Sequence, residues 1–176
     1  MLSLTSVIQL CYSAVLWGKV YQSGVFFMFS GVTSLNLDSK NRLAIPAKYR
    51  DSLSSEYGDT LVVTLESANC LLIYPESIWF EVRKKIQNLP NSVHPLVKSY
   101  QRLVLGHAET LEVDKAGRIL LPLTLRNMVG LAREVSLVGM GDKFELWDKA
   151  KWDVETGKAL QLSAENLSVL LNGFNI

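Results

Sequence analysis

Leu37-Asp38-Ser39-Lys40-Asn41-Arg42-Leu43-Ala44-Ile45-Pro46-Ala47-Lys48-Tyr49-Arg50 returns 76 positions later as Val113-Asp114-Lys115-Ala116-Gly117-Arg118-Ile119-Leu120-Leu121-Pro122-Leu123-Thr124-Leu125-Arg126. Asp, Arg, Pro and Arg recur in identical register. A repeat of that length is one small fold used twice, so the chain should carry two copies of one surface. The echo continues at a slightly shorter offset, with Tyr74 and Trp79 answered by Trp147 and Trp152. A unit of roughly 50 residues buries too little surface to stand alone. The copies should therefore lean on each other, on a partner subunit, or on both. Two copies of one surface also suit a partner that is itself a repeating polymer.

Each copy reads as short strands around a tight turn. Val32 to Leu37 is β-like, and Ser39-Lys40-Asn41 turns the chain. Asn41 and its counterpart Gly117 are the residue types that best tolerate a left-handed backbone, so both turns should need φ > 0. Leu43 to Ile45 and Ile119 to Leu121 follow as buried strands. Pro46 and Pro122 end them and can open short helices over Ala47 to Leu53 and Leu123 to Met128. Leu61 to Leu65 and Cys70 to Tyr74 are strands. So are Val135 to Val138 and Lys143 to Trp147, with Gly139-Met140-Gly141-Asp142 as the hairpin turn between them. Ile78, Val82, Ile86 and Leu89, and then Leu96, Tyr100, Leu103 and His107, have helical spacing. A helical hairpin should join two β-rich repeats. Ser163 suits the N-cap of a last helix carrying Leu167, Leu170 and Leu171.

Composition excludes little by itself. The 176 residues are 48% apolar and 20% charged, with a net charge of +1, which suits a soluble globular protein. Any electrostatic footprint must come from clustering. Clustering is present. Asp38 to Arg50 carries Lys40, Arg42, Lys48 and Arg50 against one acid, and Asp114 to Arg126 carries Lys115, Arg118 and Arg126 against one acid. The repeated elements hold the positive charge, and the rest of the chain is acidic on balance. The Asp-x-x-x-Arg of each turn admits two readings. Arg42 and Arg118 project toward phosphates or guanine edges, which a planar guanidinium bonds bidentately. Alternatively Asp38–Arg42 and Asp114–Arg118 are ion pairs that only stabilise turns, and Arg50 and Arg126 only complement helix ends.

Other candidates carry less. Arg83-Lys84-Lys85 lies on the polar side of a helix and reads as a solvated face. Tyr74, Trp79, Trp147 and Trp152 read as core or subunit contacts. His94 and His107 lack ligands at metal spacing, and no cysteine pair, nucleophile motif or phosphate-cradling loop is present. Cys11 and Cys70 suit reduced thiols in a reducing compartment. No enzyme, metal, cofactor or small-molecule substrate is expected.

Residues 1–27 stand apart. They hold one charge, Lys19, and no acid. They lack the basic stretch of a secretory signal, and Gly18, Lys19 and Gln22 interrupt what a membrane span needs. Met28 reads as the native start, with 1–27 a leader outside the native protein; a membrane anchor is the alternative.

Met28-Phe29-Ser30-Gly31, the two Asp-x-x-x-Arg segments, Leu105-Gly106-His107-Ala108 and Lys143-Phe144-Glu145-Leu146-Trp147 together resemble the bacterial MraZ family, from Met28 to about Trp152. The resemblance implies an α+β, mainly β fold of two tandem swapped-hairpin AbrB-like β-barrel repeats. The repeats are expected at 32–79 and 108–151, with a helical connector at 80–107 and a helical tail at 152–176. It implies a ring-shaped homo-oligomer that binds short direct repeats in double-stranded DNA upstream of the division and cell-wall gene cluster and regulates its transcription. That places the protein in the cytoplasm at the nucleoid, with no membrane partner. It further implies Arg42 and Arg118 as DNA contacts. Lys40, Lys48, Arg50, Lys115 and Arg126 then belong to the same basic surface, and Asp38, Asn41, Asp114 and Gly117 support its turns. Copy two has Thr124 where copy one has Lys48, so copy one should dominate. An antitoxin-type protein-binding module and a scaffold without DNA binding are the alternatives. The first wants a long, charged, disordered tail, and the chain after Trp152 is short.

Overall fold

A computed structural model describes residues 29–67, 69–90 and 95–162. The leader, His94 and the helix expected after Ser163 lie outside the described residues. Copy one contributes β1 (Phe29–Asn36), β2 (Arg42–Ala44), α1 (Ala47–Ser52), β3 (Thr60–Leu65), β4 (Cys70–Pro75) and α2 (Glu76–Gln87). After α3 (Pro95–Gly106), copy two contributes β5 (Glu109–Glu112), β6 (Arg118–Leu120), α4 (Leu123–Val129), β7 (Glu134–Gly141), β8 (Phe144–Asp148) and α5 (Lys149–Leu160). The fold is α+β with a tandem duplication, as expected.

The copies interlock strand by strand. One antiparallel sheet runs β1-β7-β8-β4-β3-β5, and a ribbon pairs β2 with β6. Only the hairpins β3–β4 and β7–β8 lie within a copy. The pairings β1–β7, β5–β3, β4–β8 and β2–β6 all cross between copies. A pseudo-two-fold axis through the Leu43↔Ile119 pair of the ribbon exchanges β1–β7 with β5–β3 and maps β4–β8 and β2–β6 onto themselves.

Both faces of the large sheet are covered, so its central strands read as near-continuous apolar runs. Alternation still sorts them. Leu61, Val63, Leu71, Ile73, Leu137 and Leu146 face one core, which the ribbon closes with the fully buried Leu43 and Ile119. Tyr49 and Leu53 from copy one, and Leu125 and Val129 from copy two, seal its two ends. Val62, Leu72, Tyr74, Val138 and Trp147 face a second core under α2 and α3, with Trp79, Ile86 and Val104. The buried Thr64 hydroxyl donates to the Val104 carbonyl at 2.6 Å, and Gln101 Nε2 donates to the Ile86 carbonyl at 2.7 Å. These bonds tie α3 to the sheet and to α2.

The short helices begin at Ala47 and Leu123 as read, with each proline at the N-cap. Two other local readings shift. The chain after α1 continues as one π-helical turn, Leu53–Tyr57, which spacing did not signal. Gly139-Met140-Gly141 is strand rather than turn. These residues pair with Gly31, Ser30 and Phe29 of β1, and the hairpin turns at Asp142–Lys143. The glycines serve close backbone approach: a Cβ on Gly139 would lie 2.5 Å from Ser30 N and 2.6 Å from Phe29 C.

Candidate nucleic-acid interface

The two Asp-x-x-x-Arg turns are near-duplicates in geometry. In copy one, Asp38 Oδ1 accepts from the backbone N–H of Lys40 at 2.8 Å and of Arg42 at 2.9 Å. Its Oδ2 accepts from Arg42 Nε and Nη2, both at 2.7 Å. In copy two, Asp114 Oδ1 takes Ala116 N–H at 2.9 Å and Arg118 N–H at 3.0 Å. Its Oδ2 takes Arg118 Nε at 2.9 Å and Nη2 at 2.8 Å. One carboxylate thus ties the turn backbone and aims the arginine.

The closing residue of each turn is left-handed, with φ of 61° at Asn41 and 73° at Gly117. Asparagine tolerates that conformation at 41. Glycine adopts it without strain at 117, where a Cβ would displace the end of the Arg50 side chain, 2.5–2.8 Å away. Each of these residues also bonds the opposite copy. Gly117 C=O accepts from Ile45 N–H at 2.9 Å, and Asn41 C=O from Leu121 N–H at 3.4 Å.

The turns flank the β2–β6 ribbon at opposite ends. With Leu43 and Ile119 pointing into the core, Arg42, Ala44, Arg118 and Leu120 face outward. Arg42 Nη1 lies 3.9 Å from Asp114 Oδ2, so the two pairs meet across the axis. Lys40 and Lys115 stand exposed at the turn tips, and neither pairs with an acid among the described residues. Lys48 is exposed on α1, over the Tyr49 ring at 4.6 Å. Arg50 and Arg126 play matching parts: Arg50 Nε donates to Ile45 C=O at 2.6 Å and Arg126 Nε to Leu121 C=O at 3.4 Å. Both sequence readings of the arginines therefore meet in one geometry. The ion pairs exist, and each presents its guanidinium on the ribbon's outward side.

Electrostatics fixes the charge states. The backbone N–H of Arg42 is the largest influence on Asp38, and with the guanidinium and the Lys40 N–H it brings the carboxyl down to about 2. Asp114 is likewise lowered, first by its Arg118 bond, and Arg118 is raised by Asp114. A carboxyl held low contributes stability above its unfolded value and loses it as pH falls through its folded value. The Asp38 turn is thus expected to stay closed to about pH 3 and to open only toward pH 2. A carboxyl-carbon NMR titration of Asp38 with a midpoint near 4 would contradict this.

Spacing missed Arg133 and the exposure of Leu120. Leu37 N–H donates to Arg133 C=O at 2.8 Å, and at the matching place Val113 N–H donates to Asp59 C=O at 2.9 Å. The first turn is therefore bordered by an exposed arginine and the second by an exposed aspartate. Arg133 lines a cleft of about 400 Å³ with Leu37, Asp38 and Asn41. The cleft at the second turn, about 330 Å³, holds Asp51, Asp59 and Asp114 together with Arg50 and Lys115. No signal in the repeat identified this asymmetry, because insertions shift the register beyond Arg126.

The remaining candidates sit elsewhere. Tyr74–Trp79 and Trp147–Trp152 form matching ring pairs, with centroids 5.6 and 5.8 Å apart, on the sheet face opposite the ribbon. His107 Nδ1 lies 2.9 Å from Leu103 C=O, as a packed histidine would. Arg83 and Lys84 are exposed and lie over the Phe80 ring. Among the described residues, no group of three or more His, Cys, Asp or Glu is placed to hold a metal. Among them, too, no helix is long and apolar enough to cross a membrane.

A family model described as "MraZ protein, putative antitoxin-like" matches residues 28–95 and 104–168. A "Transcriptional regulator MraZ" of Chromobacterium violaceum is 52% identical over 149 residues, covering 85% of this chain and all of the relative. Its namesake in Nitrosomonas europaea is 48% identical over the same span. That of Coxiella burnetii is 47% identical over 127 residues, covering 72% of this chain and 83% of its own.

Proposed function

The chain belongs to the MraZ family, and we propose on that footing that it is a transcriptional regulator binding double-stranded DNA through the outward face of the β2–β6 ribbon. The observation that carries this reading is the ribbon itself. A two-stranded ribbon fits the major groove of B-DNA. This one presents Arg42 and Arg118 outward, with Lys40 and Lys115 at its ends. Arg42 and Arg118 reach guanine edges or phosphates from a geometry their aspartates fix in advance. Lys40, Lys48 and Lys115 neutralise phosphates, joined by the Arg50 and Arg126 charges at the helix ends. Asp38, Asn41, Asp114 and Gly117 support the turns.

A face this small binds weakly and with strong salt dependence. A ring of identical subunits presents the face many times, and short direct repeats spaced about one helical turn apart engage several at once. The family resemblance points to repeats in the promoter of the division and cell-wall gene cluster, and to a cytoplasmic, nucleoid-associated protein. The repeats expected at 32–79 and 108–151, the connector at 80–107 and the tail at 152–176 form the repeating subunit of that ring.

The test is a gel shift on DNA just upstream of the gene, at two salt concentrations, with wild type and Lys48→Ala. Wild type should bind and weaken steeply with salt. The variant should bind every duplex more weakly, with a log–log salt slope shallower by about one per face engaged. Protein that ignores this DNA at low salt would refute the reading. A Lys48→Ala defect confined to one sequence would refute the phosphate role.

A further inference from the structure

The two ends of the ribbon face are related by the pseudo-two-fold axis, and their side chains break it. Copy one places Ala44 and Ala47 where copy two places Leu120 and Leu123. Lys48 is matched by Thr124, and Arg133 by Asp59. Leu120 is the largest departure. It stands directly across from Arg42 on the outward side of the ribbon and is 59% exposed, although its neighbours Ile119 and Leu121 are buried. Leu123, three residues on, is 62% exposed. An apolar side chain left in water beside two arginines has no role in the core.

We infer that Leu120 makes apolar contact with thymine 5-methyl groups in the major groove, and that this contact gives the face a reading direction. The inference rests on the DNA reading above and names a determinant of its specificity. The charges around Leu120 choose the partner. Arg42 and Arg118 share its face and Lys40 and Lys115 flank it, with Asp38 and Asp114 as the offsetting acids beside the arginines, so the surface around the leucine suits a polyanion. In the major groove only thymine offers an apolar group, its methyl, and leucine meets it without needing a hydrogen bond. Direction follows from the broken symmetry. A two-fold face matches a palindrome. A face that carries Leu120 and Leu123 beside Arg42 and Arg133 at one end, and Ala44, Ala47 and Lys48 beside Arg118 and Asp59 at the other, distinguishes a sequence from its reverse complement. A directional element is what a direct repeat is built from.

The experiment measures affinity, at one fixed ionic strength, for DNA just upstream of the gene in two forms: the natural duplex and one in which every thymine is replaced by deoxyuridine, which lacks only the methyl. Wild type is expected to bind the deoxyuridine duplex about fourfold more weakly for each methyl group that Leu120 covers on the natural one. Leu120→Ala should bind the natural duplex more weakly and the two duplexes equally. Because the side chain is exposed, its native mass and melting temperature should not change. Equal wild-type affinity for both duplexes overturns the inference while leaving the DNA reading intact. So does a Leu120→Ala protein that keeps the preference for thymine. A Leu120→Ala protein of smaller native mass assigns the leucine to a subunit contact and also overturns it. Failure of wild type to bind either duplex overturns the DNA reading itself.

Discussion

Arg42→Ala should abolish detectable binding to promoter DNA while leaving the protein folded and its oligomer unchanged. Arg42 is the arginine with most to lose. It lies on the ribbon's outward face, with Nε and Nη2 fixed by Asp38 and Nη1 turned toward the axis. It sits on the side of the face bordered by Arg133 rather than Asp59. An arginine placed in advance on a base edge or phosphate contributes roughly tenfold to hundredfold in affinity. A ring that engages several repeats multiplies that loss over each face. The fold has little stake in the side chain, because a partly exposed ion pair adds little to stability. The backbone hydrogen bonds of the turn run to Asp38 rather than to the guanidinium.

Arg118→Ala, on the side next to Asp59, should weaken binding less. Gel shift, melting temperature and native mass together separate a DNA contact from a turn-stabilising pair. If Arg42→Ala binds as wild type does, or if binding disappears only along with the oligomer, the arginine does not touch DNA.

Gly139→Val should damage the fold more than any surface change. Gly139 lies opposite Gly31 in the β1–β7 pairing. The atoms a side chain would meet there are Ser30 N, Phe29 C and Phe29 O, at 2.5–2.8 Å. These are backbone atoms and cannot swing away as the end of a long side chain can. The strand must move, and Phe29 moves with it. Phe29 is buried against Phe144 at 4.2 Å between centroids and against Tyr49 at 5.9 Å, and Tyr49 in turn donates from its hydroxyl to Ser30 C=O at 2.6 Å. Overpacking of this kind costs about 3 kcal/mol, and in a protein of this size that lowers the melting temperature by about 6–12 °C. Amide exchange should rise first along β1. An unchanged melting temperature would mean that β1 leaves the sheet without cost, contrary to the packing around Phe29.

Local chemistry is legible in the sequence, and cross-chain placement is not. The repeat, the left-handed residues at Asn41 and Gly117 and the short helices after the prolines can all be read from residue type and spacing, because each depends on its neighbours in sequence. So can the helical hairpin, from the spacing of Ile78, Val82 and Ile86 on α2 and of Leu96, Tyr100 and Leu103 on α3. Gly139-Met140-Gly141 reads as a turn because glycines close to a hairpin usually make one. Here they admit β1, which lies more than a hundred positions earlier. The candidate site is half legible. The basic residues and both Asp-x-x-x-Arg pairs stand out in the sequence, but whether each arginine is paired or outward-facing depends on the ribbon register. Leu120 reads as a core residue in a run of Ile119-Leu120-Leu121, and only its pairing opposite Arg42 turns it outward. Arg133 and Asp59 become counterparts only through matching backbone bonds.

The cross-copy pairing has a consequence for how the protein is made. While the ribosome is still building the second copy, β1 and β2 have no partner, and β4 has one free edge. The emerging half therefore presents two unpaired strands and the open edge of the apolar β4 until residues beyond 140 leave the exit tunnel. Pairings across so much sequence close slowly, and open edges of this kind are where nascent chains stick to one another. Synthesis speed and chaperone supply should therefore limit the yield of active protein more than its final stability does.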